Sequence, residues 1–280
     1  MAYAPPLYVD TRTAPRSRWG LLDAADETVP ESPRFINGVE WQPNCLFNAS
    51  VNAADCGDPV TFGFGPDGDG IPTTDAAPIH MYAGFTCRAV GLSDDQVTAR
   101  AESALARSGP TALEAYLWTP PDTPAPEGPA QLRLMGPDTV IVGDGETAVS
   151  FVAGVRLLED YLSTEYGGIG VIHAPAGTSA DAGYTQQIRW ENNKPVTQKG
   201  TRWSWGAYGY TGPEGAAAAA GTAWMVATGA VTLRQTPASR VGDYAQSLDR
   251  TTNEIFALAT KTYVVTWECV TAAVLVNLTA

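Results

Sequence analysis

The chain is poor in lysine and histidine, and its charge is strongly of one sign. Only three of its 17 basic residues are lysines, and 30 acidic residues give it a net charge of −13 at pH 7. Binding to nucleic acid depends on lysine and arginine side chains that neutralise phosphates. We therefore expect no tight, direct binding of DNA or RNA by this chain.

Long apolar runs and paired cysteines are also missing. No stretch of about 18 apolar residues is present, and the N-terminal MAYAPPLYVD lacks the basic and apolar regions of a signal peptide. The four cysteines, Cys45, Cys56, Cys87 and Cys269, form no Cys-x-x-Cys pair, so the usual zinc signature is absent. Cys45 and Cys56 are close enough in sequence for a disulfide, but we expect buried or half-buried free thiols. The chain is thus expected to work without a membrane and to be made in a cytoplasm.

The motifs of common enzyme classes fail in this sequence. Only His80 and His173 could serve a Ser-His-Asp triad, and no Gly-x-Ser-x-Gly motif accompanies them. His173 stands where a catalytic base could lie, but we expect a structural histidine that is hydrogen-bonded at a strand end. The sequence GFGPDG at residues 63–68 matches Gly-x-Gly-x-x-Gly only in letters, because it contains a proline and no helix follows it. We predict no enzyme activity, no catalytic residue and no cofactor site.

Asp67 and Asp69 begin a pattern that resembles a calcium-binding loop. An EF-hand loop needs glycine at its sixth position and glutamate at its twelfth, but Pro72 and Pro78 stand there. A solvated loop tip explains this stretch better, and we predict no metal site.

Aromatic residues are concentrated in one region of the second half of the chain. Trp190, Trp203, Trp205 and the pair Tyr208 and Tyr210 could stack on sugar rings, which keeps a carbohydrate-binding function open. The alternative is that they form an aromatic core or a contact between subunits, where such residues are common. We favour the alternative.

The first half of the chain predicts extended segments followed by a helix. Residues 1–33, with five prolines, predict an extended arm rather than a packed element, although SRWGLLDAAD could form a helical turn or two. Asn37-Gly38 predicts a hairpin turn. A capping box of Ser93 and Gln96 begins a helix with Val97, Ala101 and Leu105 on one face, and the helix should break or kink at Ser108-Gly109-Pro110.

The second half predicts one more helix and then strands. Residues 147–165 form the helix, which ends at Gly167, and IGVIHAP follows as a buried strand. The last 30 residues contain two strand-like runs rich in valine, threonine and aromatics. This order predicts an α+β fold. The apolar face of the second helix consists of Phe151, Val155, Leu158 and Leu162.

In this order the segments resemble the Hong Kong 97-like major capsid proteins of tailed bacteriophages. SDDQVTARAESALARSGPTALEAYLW is similar to the spine helix of that family, and VRLLEDYLSTEYGGIGVIHAP to its axial-domain helix and strand. The closing DRTTNEIFALATKTYVVTWECVTAAVLVNL resembles the terminal strands. Each pattern is loose, so the resemblance depends on their order and spacing over most of the chain.

The resemblance implies a division of the chain and a function. Its N-terminal arm is residues 1–33, its extended loop 34–78, its peripheral domain 79–145 with 245–280, and its axial domain 146–244. Copies would form the hexamers and pentamers of an icosahedral shell in the virion, with portal and scaffolding or decoration proteins as partners. The shell would enclose double-stranded DNA without binding it specifically, as the acidic charge allows.

Two further points qualify the resemblance. Some members of the family cross-link subunits through a lysine in the extended loop, but residues 31–91 contain no lysine, so we predict that this chemistry is absent. A virion tail or decoration protein, a carbohydrate-binding protein and an encapsulin-like compartment shell stay open as alternatives.

Overall fold

A computed structural model describes most of the chain and shows two large β-sheets, each packed against one long helix, and a small sheet of two strands. The sequence GFGPDG, Asp67, Asp69, Cys45 and Cys56 lie outside the described residues. The described residues are 15–43, 73–88, 93–119, 132–213, 215, 217–242, 248–249, 251–252 and 254–278.

The first sheet is built around one long strand near the C-terminus. This strand, β15, spans Glu254–Trp267 and pairs antiparallel with β4 (Ile79–Arg88) over ten residues. Thr260 lies between Tyr82 on one side and Ser239 on the other, so both edges of β15 are occupied. The other strands of this six-stranded sheet are β1 (Asp26–Glu27), β4 (Ile79–Arg88), β12 (Val231–Gln235), β13 (Ser239–Val241) and β14 (Leu248–Asp249).

The second sheet has eight strands and contains the buried strand that the sequence predicted. That strand, β7 (Val171–Pro175), is buried at every position. Along the sheet the strands run in the order β5, β16, β11, β7, β10, β9, β8, and β6 also pairs with β16. Their bounds are β5 Val140–Ile141, β6 Val149–Ser150, β8 Arg189–Glu191, β9 Lys194–Val196, β10 Arg202–Gly206, β11 Thr222–Thr228 and β16 Thr271–Asn277.

The long helix α2 (Asp94–Trp118) packs on the first sheet. Its capping box is confirmed, because the Ser93 hydroxyl accepts from the Gln96 N–H and the Gln96 side chain accepts from the Ser93 N–H. The predicted face is also confirmed, with Val97, Ala101 and Leu105 buried against β15. The helix does not break at the proline. Ala106, whose carbonyl loses its usual donor there, is exposed, so water can replace that donor.

The second helix α3 (Phe151–Tyr161) packs on the second sheet and is shorter at its start than predicted. It begins at Phe151 rather than residue 147 because Val149 and Ser150 pair with β16, and the Ser150 hydroxyl caps the helix. The helix continues as one π-turn, Leu162–Tyr166, and ends at Gly167 with φ of 72°, as predicted. All four residues of its predicted apolar face are buried.

The N-terminal segment is packed, which corrects the prediction of an unpacked arm for its described part. Leu21, Ala24 and Ala25 are buried in the main core, and Leu21–Ala24 forms a single helical turn, α1. Arg202 of β10 donates to the Ala24 carbonyl at 2.9 Å and pairs with Asp26 at 2.7 Å. The sequence did not predict this packing. The prolines and arginines of the segment indicated an extended arm, and the residues that it packs against lie far away in sequence.

Two other local predictions were wrong. Asn37 ends a 3₁₀ helix, Pro33–Asn37, so Asn37-Gly38 is not a hairpin turn, and strand β2 (Val39–Trp41) pairs instead with β3 (Thr74–Ala76). Helix α4 (Thr178–Tyr184) occupies a stretch that was predicted as strand or loop.

The cysteines also differ from one another. Cys87 is a half-buried free thiol, as expected. Cys269 is disulfide-bonded, which corrects the expectation of a free thiol there.

Candidate functional site

The described residues contain no group of side chains arranged to bind a metal ion. Nowhere in that part of the chain do three or more His, Cys, Asp or Glu side chains group together as metal ligands would. Within the same residues, no helix is long and apolar enough to span a membrane.

His173 is a structural histidine, as expected. It is 1% exposed, its Nδ1 lies 3.1 Å from the Tyr208 hydroxyl, and its Nε2 lies 3.0 Å from the Thr228 hydroxyl. Burial lowers the pKa of His173 to about 3, so the ring is neutral at pH 7. Ser204 completes the network through Tyr208 at 2.6 Å. With both nitrogens engaged inside the core, the ring has no access to a substrate.

His80 is distant from this network in sequence and lies in a different environment. It lies on β4, exposed, with its Nδ1 3.0 Å from the Thr262 hydroxyl of the paired strand β15. The structure therefore does not bring the two histidines into one site.

Trp203 and Trp205 belong to the core, so they cannot stack on a sugar. They are 1% and 5% exposed, and their rings are stacked with centroids 5.2 Å apart. Phe151 of α3 extends this stack, at 6.2 Å from Trp203. Tyr208 is also buried. These three side chains therefore cannot form part of a carbohydrate-binding surface. For them the interpretation as an aromatic core is confirmed.

Several other large apolar side chains are exposed, among them the two remaining residues of the aromatic group. Trp190 is 55% exposed and contacts Trp19 edge-on at 5.2 Å, and Tyr210 is 47% exposed. Where such side chains form a contiguous patch, they are typical of surfaces that another protein covers. The others are Val29, Ile36, Tyr82, Val140, Ile141, Val152, Ile169, Tyr184, Val241 and Phe256.

Glu114 is a buried carboxylate that the sequence analysis missed. It lies on α2 and is 2% exposed, and it accepts from the N–H groups of Leu21 and Ala207, each at 2.9 Å. Burial raises the pKa of Glu114, and the charge of nearby Asp23 adds to this effect. An acidic residue among Leu113, Leu117 and Trp118 on an apolar helix face was the available signal. Through these two hydrogen bonds, Glu114 connects the N-terminal segment and the end of β10 to α2.

A second carboxylate links α3 to the turn between β9 and β10. Glu159 accepts from the hydroxyls of Thr197 and Thr201, the latter at 2.9 Å. Both threonines are buried, so this contact fixes the helix against its sheet.

A cleft beside strands β8 and β9 is lined by four basic side chains. The cleft has a volume of about 530 Å³. Arg189, Lys194, Lys199 and Arg202 line it, together with the acidic residues Asp26 and Glu191. Arg189 pairs with Glu191 at 2.9 Å and Arg202 with Asp26 at 2.7 Å. Among the described residues, neither lysine forms an ion pair.

Comparison with known proteins gives a match only at the level of structure. No protein-family model and no curated protein matches the sequence. The capsid of an empty GTA particle is similar over 99% of this chain and 96% of its own, with a TM-score of 0.60 and 13% identity. A structure from Microbacterium phage Oxtober96 covers the same shares, with a TM-score of 0.53 and 10% identity. One from Gordonia phage Cozz covers 98% and 92%, with a TM-score of 0.51 and 11% identity.

These similarities span nearly the whole of each chain, so they concern the complete arrangement of two sheets and two long helices. At such low sequence identity, these structural similarities establish the fold alone. The chain shares its α+β fold with these capsid structures, as the resemblance to capsid proteins predicted.

Proposed function

We propose that this chain is a structural subunit that self-assembles into an icosahedral capsid shell around phage double-stranded DNA. The observation that carries the proposal is the match to the GTA capsid subunit over 99% of this chain and 96% of that one. The exposed apolar side chains supply the kind of surface that neighbouring subunits would cover.

The proposed division of the chain into capsid regions has partial support in the packing. The peripheral domain, 79–145 with 245–280, contains α2, β4 and β15, which share one hydrophobic cluster. The axial domain, 146–244, contains α3 with β7, β10 and β11, which share another. Strands β16 and β12 cross this division, because β16 pairs with β11 and β12 pairs with β15. The two regions would therefore move as a unit rather than hinge freely.

We also propose that the protein has no catalytic role. The buried, neutral ring of His173 supports this, since its nitrogens are occupied by Tyr208 and Thr228. The acidic net charge supports a shell whose inner wall leaves DNA unbound. Portal and scaffolding or decoration proteins would complete the virion, and assembly would take place in the host cytoplasm.

The test is to express the full chain, alone and with its neighbouring phage genes, and to measure sedimentation and negative-stain images. Closed particles of uniform size are the expected result. A protein that stays monomeric under every assembly condition would contradict the proposal. Because residues 31–91 lack lysine, particles boiled in detergent should run as a single band near 29.5 kDa.

The contents and partners of the particles separate the remaining alternatives. Packaged DNA in particles isolated from infected cells supports a phage capsid, whereas enriched cargo protein without DNA would indicate an encapsulin-like compartment. A protein that binds preformed capsids but forms no particles itself would be a decoration protein.

A further inference from the structure

The eight-stranded sheet carries opposite charges at its two ends. Strand β5 lies at one end of the strand order and β8 at the other. Six strand spacings of about 4.8 Å separate them, so the two ends are roughly 29 Å apart. Charges at such a distance are screened from one another in the monomer.

The end at β8 and β9 is basic. We call the set Arg189, Lys194, Lys199 and Arg202 the basic edge; residues 189–202 contain a single acidic residue, Glu191. The ion pairs of the two arginines use Glu191 and Asp26, which leaves the two lysines as the net positive charge. Within the described part of the chain, the one hydrogen bond of the Lys199 ammonium goes to the Glu159 backbone carbonyl, at 3.5 Å.

The end at β5 is acidic. Asp138, Asp144 and Glu146 flank this strand, all three are exposed, and residues 137–150 contain no lysine or arginine. We call these three the acidic edge. Asp144 accepts from the N–H of Thr147 at 2.8 Å, and this bond lowers the pKa of Asp144, so its charge persists well below neutral pH.

Both edges also expose apolar side chains beside their charges. On the acidic edge Val140 and Ile141 are 45% and 37% exposed. On the basic edge Trp190 and Ile169 are 55% and 58% exposed, and Ile169 lines the basic cleft. Apolar centres with charged surroundings are typical of protein–protein interfaces.

We propose that the acidic edge of one copy docks against the basic edge of the next copy in a head-to-tail contact. Two different surfaces meet in such a contact, so each copy can bind one neighbour on each side, and successive copies form a ring when the rotation between them closes. Like edges repel, which disfavours a two-fold dimer through either surface. The inference deepens the proposed shell function, because it assigns the surfaces that would join subunits within one ring.

Charge reversal on each edge tests the contact. One variant carries Lys194→Glu and Lys199→Glu, and the other carries Asp138→Lys and Glu146→Lys. Asp144 is left in place because its side chain holds the Thr147 turn. Each variant alone should lose at least tenfold in ring or particle yield by sedimentation velocity. The four changes together exchange the edges and should restore assembly.

A fifth protein controls for net charge. It combines Lys194→Glu and Lys199→Glu with Glu102→Lys on α2 and Glu254→Lys on β15. Its net charge equals that of the wild type, but its edges no longer match, so it should fail to assemble.

Mixing the two reversal variants separates this inference from the shell function. One variant then has two acidic edges and the other two basic edges, so they should bind each other in low salt even where neither binds itself. If the wild type forms particles and both variants do so equally well, the edge contact is wrong and the shell function stands. If the wild type forms no particles but the variants bind each other, the contact stands and the shell function falls. No binding in the mixture, with no assembly of the wild type, overturns both.

Discussion

The Glu114 carboxylate accepts a hydrogen bond from the backbone N–H of Leu21 at 2.9 Å, although 93 positions separate the two residues. Its second oxygen accepts from Ala207 at the same distance. The space around it is tight, since a Cβ on Gly20 or Gly206 would lie within 2.4 Å of Glu114 atoms. One buried side chain thus fastens the N-terminal segment and the end of β10 to α2.

Replacing Glu114 with alanine should destabilise the protein strongly. The change leaves the buried N–H of Leu21 and the part-buried N–H of Ala207 without acceptors, at a cost of up to roughly 1–3 kcal/mol each. Urea unfolding measures the difference in unfolding free energy. The matched control is Glu102→Ala on the same helix, which should change stability by less than about 0.5 kcal/mol. Equal effects of the two changes would contradict the role of Glu114 as an anchor.

The raised pKa of Glu114 also predicts how its contribution depends on pH. Because burial raises the pKa of this carboxyl, the native chain holds the proton more tightly than the unfolded chain. Its contribution to stability is therefore complete below the ordinary glutamate pKa and decreases as pH rises through the native pKa.

Unfolding in urea across pH 4 to 8 tests this sign in wild type and Glu114→Gln. The advantage of the wild type over the variant should shrink as pH rises. An advantage that grows with pH would mean that the two N–H bonds outweigh burial.

The sequence predicted the elements whose signals are local. The capping box of Ser93 and the apolar faces of both helices depend on residues within a few turns, and the structure confirms them. Strand β7 was predicted from a short apolar run that ends at Pro175, and all five positions of the strand are buried.

The contacts that local signals miss join distant parts of the chain. The packing of Leu21 depends on Glu114 and β10, and the start of α3 depends on pairing of Val149 with β16. The acidic and basic edges of the second sheet could not be predicted from the sequence either, because the order of the strands decides which charges lie at opposite ends. Only tertiary pairing contains that information.

His173 should make the protein sensitive to acid. Burial lowers the pKa of His173 to about 3. Below pH 6.5 this histidine therefore takes up a proton in the unfolded chain but stays neutral in the native chain. Stability should therefore fall as pH decreases from 6.5 towards 3, by at most about 1.4 kcal/mol per pH unit. His173→Gln should be less stable at pH 7 and should have a shallower slope. His80→Gln, at an exposed position, is the control and should keep the wild-type slope.

The tryptophans should separate folding from assembly. Trp203→Ala removes a stacked core ring and should cost about 3–5 kcal/mol in the unfolding free energy of the subunit. Trp190→Ala, at a 55% exposed position, should leave subunit stability within about 1 kcal/mol but reduce particle yield. Thermal unfolding and sedimentation measure the two effects. A folded Trp203→Ala subunit of unchanged stability would contradict the core assignment.

Helix α3 approaches β16 so closely that its glycine cannot be enlarged. A Cβ on Gly154 would lie 2.3 Å from Val276 Cγ1 and 3.2 Å from Met225 Cε. Gly154→Ala should therefore cost about 1–3 kcal/mol through overpacking, despite the better helix propensity of alanine. In Gly183→Ala on α4 the new Cβ meets only Ile188, at 4.0 Å, so propensity should dominate and stabilise by up to about 1 kcal/mol. Opposite signs in urea unfolding would establish the tight contact of α3 with β16, whereas stabilisation by both changes would contradict it.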